Sequence, residues 1–173
     1  VSVAAGVSID FIQSFCSAKV VRAMPNINVQ VAEASIGYSK SENITEDEEK
    51  KVREIFKSVG TIYNVEETKL EAVTGLSGSG PAFVYSVIEA MMNAGIKNGL
   101  TREESIKLTL QTVKGSAEMV DKSSRSVEEL IDMVSTPNGT TIEGIKVFEE
   151  TDFQGSLVKA IDAATKRAEE LSR

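Results

Sequence analysis

The chain contains no histidine and a single cysteine, Cys16. Those two scarcities exclude imidazole-based catalysis, zinc clusters and intramolecular disulfides, and no metal site is expected. Cys16 reads as a packing residue. A lone thiol suits a reducing compartment, and the N-terminus lacks the basic and apolar regions of a signal peptide, so the cytoplasm is the expected location. Basic runs are missing as well. With a net charge of −7 and no Lys/Arg-rich stretch, the chain offers nothing suited to a phosphate backbone, and no nucleic-acid partner is expected. Even the apolar segment from Pro81 to Ile96 is broken by Glu89 and Asn93 and falls short of the roughly 20 residues that span a bilayer, so no membrane partner is expected either.

What remains is an acidic chain of 173 residues, 41% hydrophobic, long enough to bury a core as one domain or two small ones. Residues 1–66 read as an α/β layer. Strands are expected at Val1–Gly6, as a buried strand running into a glycine turn, at Val20–Asn26, stopped by Pro25, and at Ala34–Ser39 and Thr61–Val65. Ser8 is expected to cap a helix running to about Ser17, and Thr45-Glu46-Asp47-Glu48 is a capping box. It opens a helix with Val52, Ile55, Phe56 and Val59 facing inward.

Residues 67–173 read as all-helical. Capping boxes at Thr101–Glu104 and Ser126–Glu129 start two helices, and apolar stripes run along Ile106, Leu110, Val113, Ala117 and Val120 and along Phe153, Leu157, Ala160, Ile161, Ala164, Ala168 and Leu171. The helix after Pro81 has almost no polar face. It must be buried all round, and since a helical domain of this size has trouble enclosing it completely, its spare surface is expected to meet a second copy in an obligate dimer, with higher assembly open; the simpler reading is the core helix of a monomer.

Two stretches carry chemistry. Ser135-Thr136-Pro137-Asn138-Gly139-Thr140-Thr141 opens the helix from Ile142 to Glu150, where unpaired amides and the positive end of the helix dipole suit a small anion. Leu76-Ser77-Gly78-Ser79-Gly80-Pro81 opens the apolar helix, and together the two suggest one carboxylate pocket. Simpler readings stand beside these. Thr140–Glu143 is also a capping box in which Thr140 is only a cap, and Ser77–Pro81 is also a tight loop for close helix packing. Without imidazole, metal or an activated nucleophile, hydrolysis and phosphoryl transfer lose their usual machinery. Hydride transfer to an imine does not need it, because the cofactor carries the hard step and the protein orients the reactants.

These two motifs, with Arg22-Ala23-Met24-Pro25-Asn26 and Ala4-Ala5-Gly6 upstream, closely resemble the pyrroline-5-carboxylate reductase family over essentially the whole chain. The resemblance implies reduction of 1-pyrroline-5-carboxylate to L-proline with NADPH or NADH, the last step of proline biosynthesis. It assigns the hydroxyl facing the imine nitrogen to Thr141. The substrate, a small ring with one carboxylate, would be held by Ser135, Asn138, Gly139, Thr140 and Thr141 and by Ser77, Gly78, Ser79 and Gly80. Ala4, Ala5 and Gly6 would approach the cofactor, with Met24, Pro25 and Asn26 beside its nicotinamide and ribose.

The fold implied is mainly α: an all-α C-terminal dimerisation domain, residues 67–173, preceded by a partial α/β Rossmann-type remnant, residues 1–66. The family's Gly-x-Gly-x-x-Gly-type turn is missing from the sequence, so the chain is expected to be a C-terminal fragment, inactive alone. Two other readings are a non-catalytic helical dimerisation module that binds a small carboxylate, and a related two-domain hydroxy-acid dehydrogenase. The second usually needs a lysine as acid, and neither pocket motif contains one.

Overall fold

A computed structural model describes residues 1–172. Its contacts divide the chain into two compact units: Val1–Ala82 together with the chain from Val158 onward, and Phe83–Leu157.

The first unit is built on a three-stranded sheet in the order β1 (Val21–Met24), β2 (Ala34–Lys40), β3 (Gly60–Asn64). β1 runs antiparallel to β2, with Val21 opposite Lys40 and Met24 opposite Gly37. β3 runs parallel to β2, with Ala34 opposite Gly60. Val21, Ala23, Ala34, Ile36, Tyr38 and Ile62 form the core, and Ile44, Val52, Phe56 and Val59 pack against it. The capping box at Thr45 forms as expected and starts α2 (Glu46–Lys57). Ile55 is a correction: it lies at the edge of the inward stripe and stays 66% exposed, because Val52 and Phe56 already take the central face.

The segment before β1 departs further from the expected buried strand. It makes a single parallel bridge between Ser2 and Arg22, in which Ser2 N–H donates to the Val21 carbonyl at 2.7 Å and Ala23 N–H donates to the Ser2 carbonyl at 2.8 Å. Val1 and Val3 are exposed. The segment then turns at buried Gly6, whose φ of 72° and close approach to the Leu171 backbone both require a residue without Cβ. Ser8 does cap α1 (Ile9–Gln13), accepting from Phe11 N–H, but the helix ends well before Ser17. Side chains compete for its last turn: the Ser14 hydroxyl donates to the Phe11 carbonyl, and the Gln13 amide donates to Ala18. Cys16, expected in a packed position, is exposed.

Helices dominate from residue 67 onward, yet the contacts divide the chain at other points than residue 66. Arg22, buried in β1, donates to Glu67 at 3.2 Å and to Glu71 at 2.9 Å. Glu67 also accepts the Ile9 N–H, and the Ser172 hydroxyl donates to Glu71. These bonds hold α3 (Leu70–Val73) and the end of α8 (Phe153–Leu171) to the sheet. The change of secondary structure at residue 67 is a local property of the chain, whereas the unit boundary is set by these long-range pairs.

The second unit contains most of α4 (Gly80–Lys97), α5 (Arg102–Lys122), α6 (Val127–Val134) and α7 (Thr140–Glu150). Both expected capping boxes, at Thr101 and Ser126, are present. Small residues mediate the contact of α4 with α5: the Ser105 hydroxyl donates to the Met92 carbonyl at 2.7 Å beside Gly95, and Ser105 and Thr109 are the buried face of α5. The apolar side chains point elsewhere. Val84, Tyr85, Met91 and Ile96 on α4 and Leu108, Leu110, Met119 and Val120 on α5 are exposed, so α4 is not enclosed within one chain and the α5 stripe is not a core stripe. Among the described residues, no helix is long and apolar enough to cross a membrane.

Candidate functional site

The socket expected at residues 135–141 is the connection from α6 to α7. Ser135 ends α6, its N–H donating to the Asp132 carbonyl. The chain then tightens: Gly139 N–H donates to the Thr136 carbonyl at 2.9 Å, and Asn138 takes the left-handed conformation at φ 63°. Gly139 is the extended N-cap of α7, at φ −81° and ψ 170°. Its need for glycine is spatial, because a Cβ there would stand 2.6 Å from the Thr136 Oγ1 and 3.0 Å from its carbonyl oxygen.

This geometry corrects the expected role of Thr140. The cap position belongs to Gly139, Thr140 and Thr141 are the first two helical residues, and Glu143 pairs with Lys146 instead of reaching back. No side chain caps α7, so its first turn presents backbone donors and the positive end of the dipole. Beside it, the Ser135 Oγ is buried without a hydrogen-bond partner. That hydroxyl borders a hollow of about 540 Å³ with apolar walls, where the Phe148 and Phe153 rings stack at 4.6 Å, and with Glu128, Asp132, Glu149 and Asp152 also in its lining; Asn138, Gly139, Thr140 and Thr141 do not line it. A buried hydroxyl lacking a partner, next to an uncapped helix start, suits a small ligand that is polar at one edge and apolar at the other.

The Ser77–Gly80 motif has a different form from the expected free helix start or loop. Residues Thr74–Gly78 are a π-turn that carries α3 into α4. Ser79 N–H donates to the Thr74 carbonyl at 2.9 Å, five residues back, and the Ser77 hydroxyl donates to the Val73 carbonyl at 3.0 Å. Those donors are engaged within the turn. The cause lies in Pro81: in a regular helix its ring would collide with the Ser77 carbonyl, and it has no N–H to offer that carbonyl. Widening the helix just before Pro81 removes the collision. Gly75 in the same turn lies against Thr165 and Ile161 of α8, close enough that any Cβ would clash.

Three of the four motif pieces converge in the first unit. The bridge at Ser2 is parallel, so the chain toward Ala4, Ala5 and Gly6 leaves the sheet at the same end as Met24, Pro25 and Asn26. The Asn26 side-chain amide donates to the Ser77 carbonyl at 3.0 Å, and the Met24 Cε is 3.3 Å from where a Cβ on Gly78 would stand. Residues 135–141 belong to the second unit. Sequence reasoning missed the π-turn and the Asn26 bond, although Pro81 four residues after Ser77 was the signal for both. It also gave Arg22 no role beyond the motif.

A family model described as pyrroline-5-carboxylate reductase dimerisation matches residues 67–171. The chain belongs to the pyrroline-5-carboxylate reductase family. It is 41% identical over 98% of its length to the pyrroline-5-carboxylate reductase of Aquifex aeolicus and 42% identical over 99% to that of Glycine max. It spans 65% and 63% of the length of those two relatives. A crystal structure of the Plasmodium falciparum pyrroline carboxylate reductase with NADP bound superposes with a TM-score of 0.94 at 36% identity, covering 99% of this chain and 70% of that one. The Streptococcus pyogenes enzyme superposes at 0.92 with 31% identity. The fold is that of these neighbours: mainly helical, with a partial Rossmann-type α/β part.

Proposed function

We propose that this chain belongs to an NAD(P)H-dependent enzyme that reduces 1-pyrroline-5-carboxylate to L-proline, the last step of proline biosynthesis. The observation that carries the reading is the α7 start, where an uncapped helix turn lies beside the unpartnered, buried Ser135 hydroxyl, in a chain 41% identical to a pyrroline-5-carboxylate reductase.

In this reading the amides of Thr140 and Thr141 in the first turn of α7 hold the substrate carboxylate, with Gly139, whose own N–H is engaged by the Thr136 carbonyl, and Ser135 and Asn138 at its edge. The Thr141 hydroxyl donates a hydrogen bond to the imine nitrogen and orients the ring. Ser77, Gly78, Ser79 and Gly80, at the π-turn of the first unit, are the further residues that the family resemblance gives to substrate binding. A bound nicotinamide cofactor, NADPH or NADH, would supply the hydride to the imine carbon, and the nitrogen would take its proton from water, directly or relayed by the Thr141 hydroxyl, which regains a proton from water. Ala4, Ala5 and Gly6, the side chains of Met24 and Pro25, and the backbone of Asn26 are what would hold the nicotinamide and ribose. What supports this is that both segments leave the sheet at the same end and that Ala4 and Ala5 are exposed.

The same reading makes the protein a homodimer. The exposed apolar side chains of α4 and α5 lie inside the segment matched by the dimerisation family model. An exposed, unpaired Cys16 suits the cytoplasm. Binding of L-proline tests the substrate site directly. Amide resonances of Gly139, Thr140 and Thr141 should shift on titration in the parent and shift less in Ser135→Ala. Shifts confined to other segments would contradict the reading.

A further inference from the structure

We infer that Asn26 is a positioning residue, whose side chain fixes the π-turn beside the end of β1. The inference rests on the functional reading above for what the turn bounds, but its geometry is independent of it. The Ser77 carbonyl would accept from residue 81 in a regular helix, and residue 81 is proline. The next amide along, Ala82 N–H, donates to the Ser79 carbonyl at 3.0 Å. The donor that meets the Ser77 carbonyl is Asn26 Nδ2, at 3.0 Å, from a residue 51 positions away. The other end of the same amide is also engaged. Asn26 Oδ1 accepts from Asn28 N–H at 3.2 Å and caps the short 3₁₀ helix Ile27–Val31.

One side chain therefore ends one element and ties it to another. It holds Met24 and Pro25 at a fixed distance from Ser77–Gly80, and the contact of Met24 with Gly78 follows from that tether. The segment's approach to a cofactor then runs through Met24, Pro25 and backbone. The Asn26 amide acts through the Ser77 carbonyl, on the form of the π-turn.

Two substitutions separate the cap from the tether. Asn26→Asp and Asn26→Ser both keep an oxygen for the Asn28 N–H; aspartate brings an acceptor to the Ser77 carbonyl, and serine is too short to reach it. Hydrogen exchange on the chain reads the tether without any activity. Exchange at the Ser79 amide, which closes the π-turn, should speed by about tenfold in both variants, the size expected for a carbonyl left without its donor, while exchange at Asn28 stays as in the parent. Unchanged exchange at Ser79 overturns the inference.

Steady-state kinetics on the protein at the full length of its relatives give the second readout. In both variants the KM for 1-pyrroline-5-carboxylate should rise by about tenfold with the KM for NADPH within about twofold. The reverse pattern makes Asn26 a direct cofactor contact and overturns the inference. A parent with no pyrroline-5-carboxylate-dependent turnover sinks the functional reading, and the exchange at Ser79 then decides the inference alone. Pro81→Ala provides the check on cause: with an N–H restored at residue 81, Asn26→Ser should no longer speed exchange at Ser79, and an undiminished effect in that background overturns the link to Pro81.

Discussion

Arg22 Nη2 donates to Glu71 Oε1 at 2.9 Å across the first unit, and both side chains are nearly out of solvent, at 8% and 13% exposure. The pair joins the middle strand residue of β1 to α3, the helix that runs into the π-turn. Glu67 shares the guanidinium and Ser172 shares the Glu71 carboxylate, so one buried cation organises four segments of chain. Removing the cation leaves two carboxylates without their partner. Arg22→Met should lower unfolding stability by about 3 kcal/mol, the usual scale for breaking a buried pair from one side. Urea denaturation checks this, and a loss no larger than that of an exposed substitution would show the pair to be dispensable.

Acid should weaken the same unit. Burial pushes the Glu71 carboxyl up, but the Ser172 hydroxyl and the Arg22 guanidinium more than offset it, and its pKa lies below the usual 4.5. Glu49 is held below 4.5 mainly by the Lys40 ammonium and then by the Tyr38 hydroxyl. Carboxylates depressed in the folded state contribute stability that is fully present above about 4.5 and lost as pH falls through their lower folded values, because the unfolded chain takes up those protons first. Thermal unfolding midpoints should therefore decline below about pH 4.5. Glu71→Gln should start from a lower midpoint at pH 7 and lose less between pH 4.5 and pH 2 than the parent does. Parallel curves for parent and variant would remove Glu71 from the account.

Thr140 and Thr141 should behave differently because of where α7 starts. With Gly139 at the cap, Thr140→Ala removes no capping bond and should change stability by less than about 0.5 kcal/mol. Thr141→Ala should leave stability similarly unchanged yet lower kcat/KM for pyrroline-5-carboxylate by about a hundredfold, as expected for a lost proton donor or hydrogen bond to the reacting nitrogen. Equal kinetic losses in the two variants would contradict the assignment of the hydroxyl to Thr141.

Capping boxes, strand positions and the two motifs were legible in the sequence because each depends on residues a few positions apart. Thr45, Thr101 and Ser126 cap as their spacing dictates. The failures share a different cause. Val1 and Val3 look like core residues by type, but burial depends on what lies opposite. Thr140 satisfies a capping-box pattern, yet Gly139 one position earlier takes the extended conformation and the cap with it. The π-turn was hidden because Pro81 reads equally as a helix start; the Ser79 N–H bond to the Thr74 carbonyl, five residues back, distinguishes the two.

The exposed faces of α4 and α5 predict association. Leu108 is 58% exposed on a single chain, and Leu108→Asp should convert a dimer to monomers in sedimentation velocity, with far-UV circular dichroism retained. A parent that already sediments as a monomer would contradict the homodimer.

The most direct test of the central claim is NADPH absorbance at 340 nm on the order of minutes after adding 1-pyrroline-5-carboxylate to the protein at the full length of its relatives, with its hydride acceptor as the only variable. The account predicts oxidation of NADPH that depends on pyrroline-5-carboxylate, yields proline in equal amount, and falls sharply in Thr141→Ala. Oxidation that does not depend on the imine, or none at all, would contradict it.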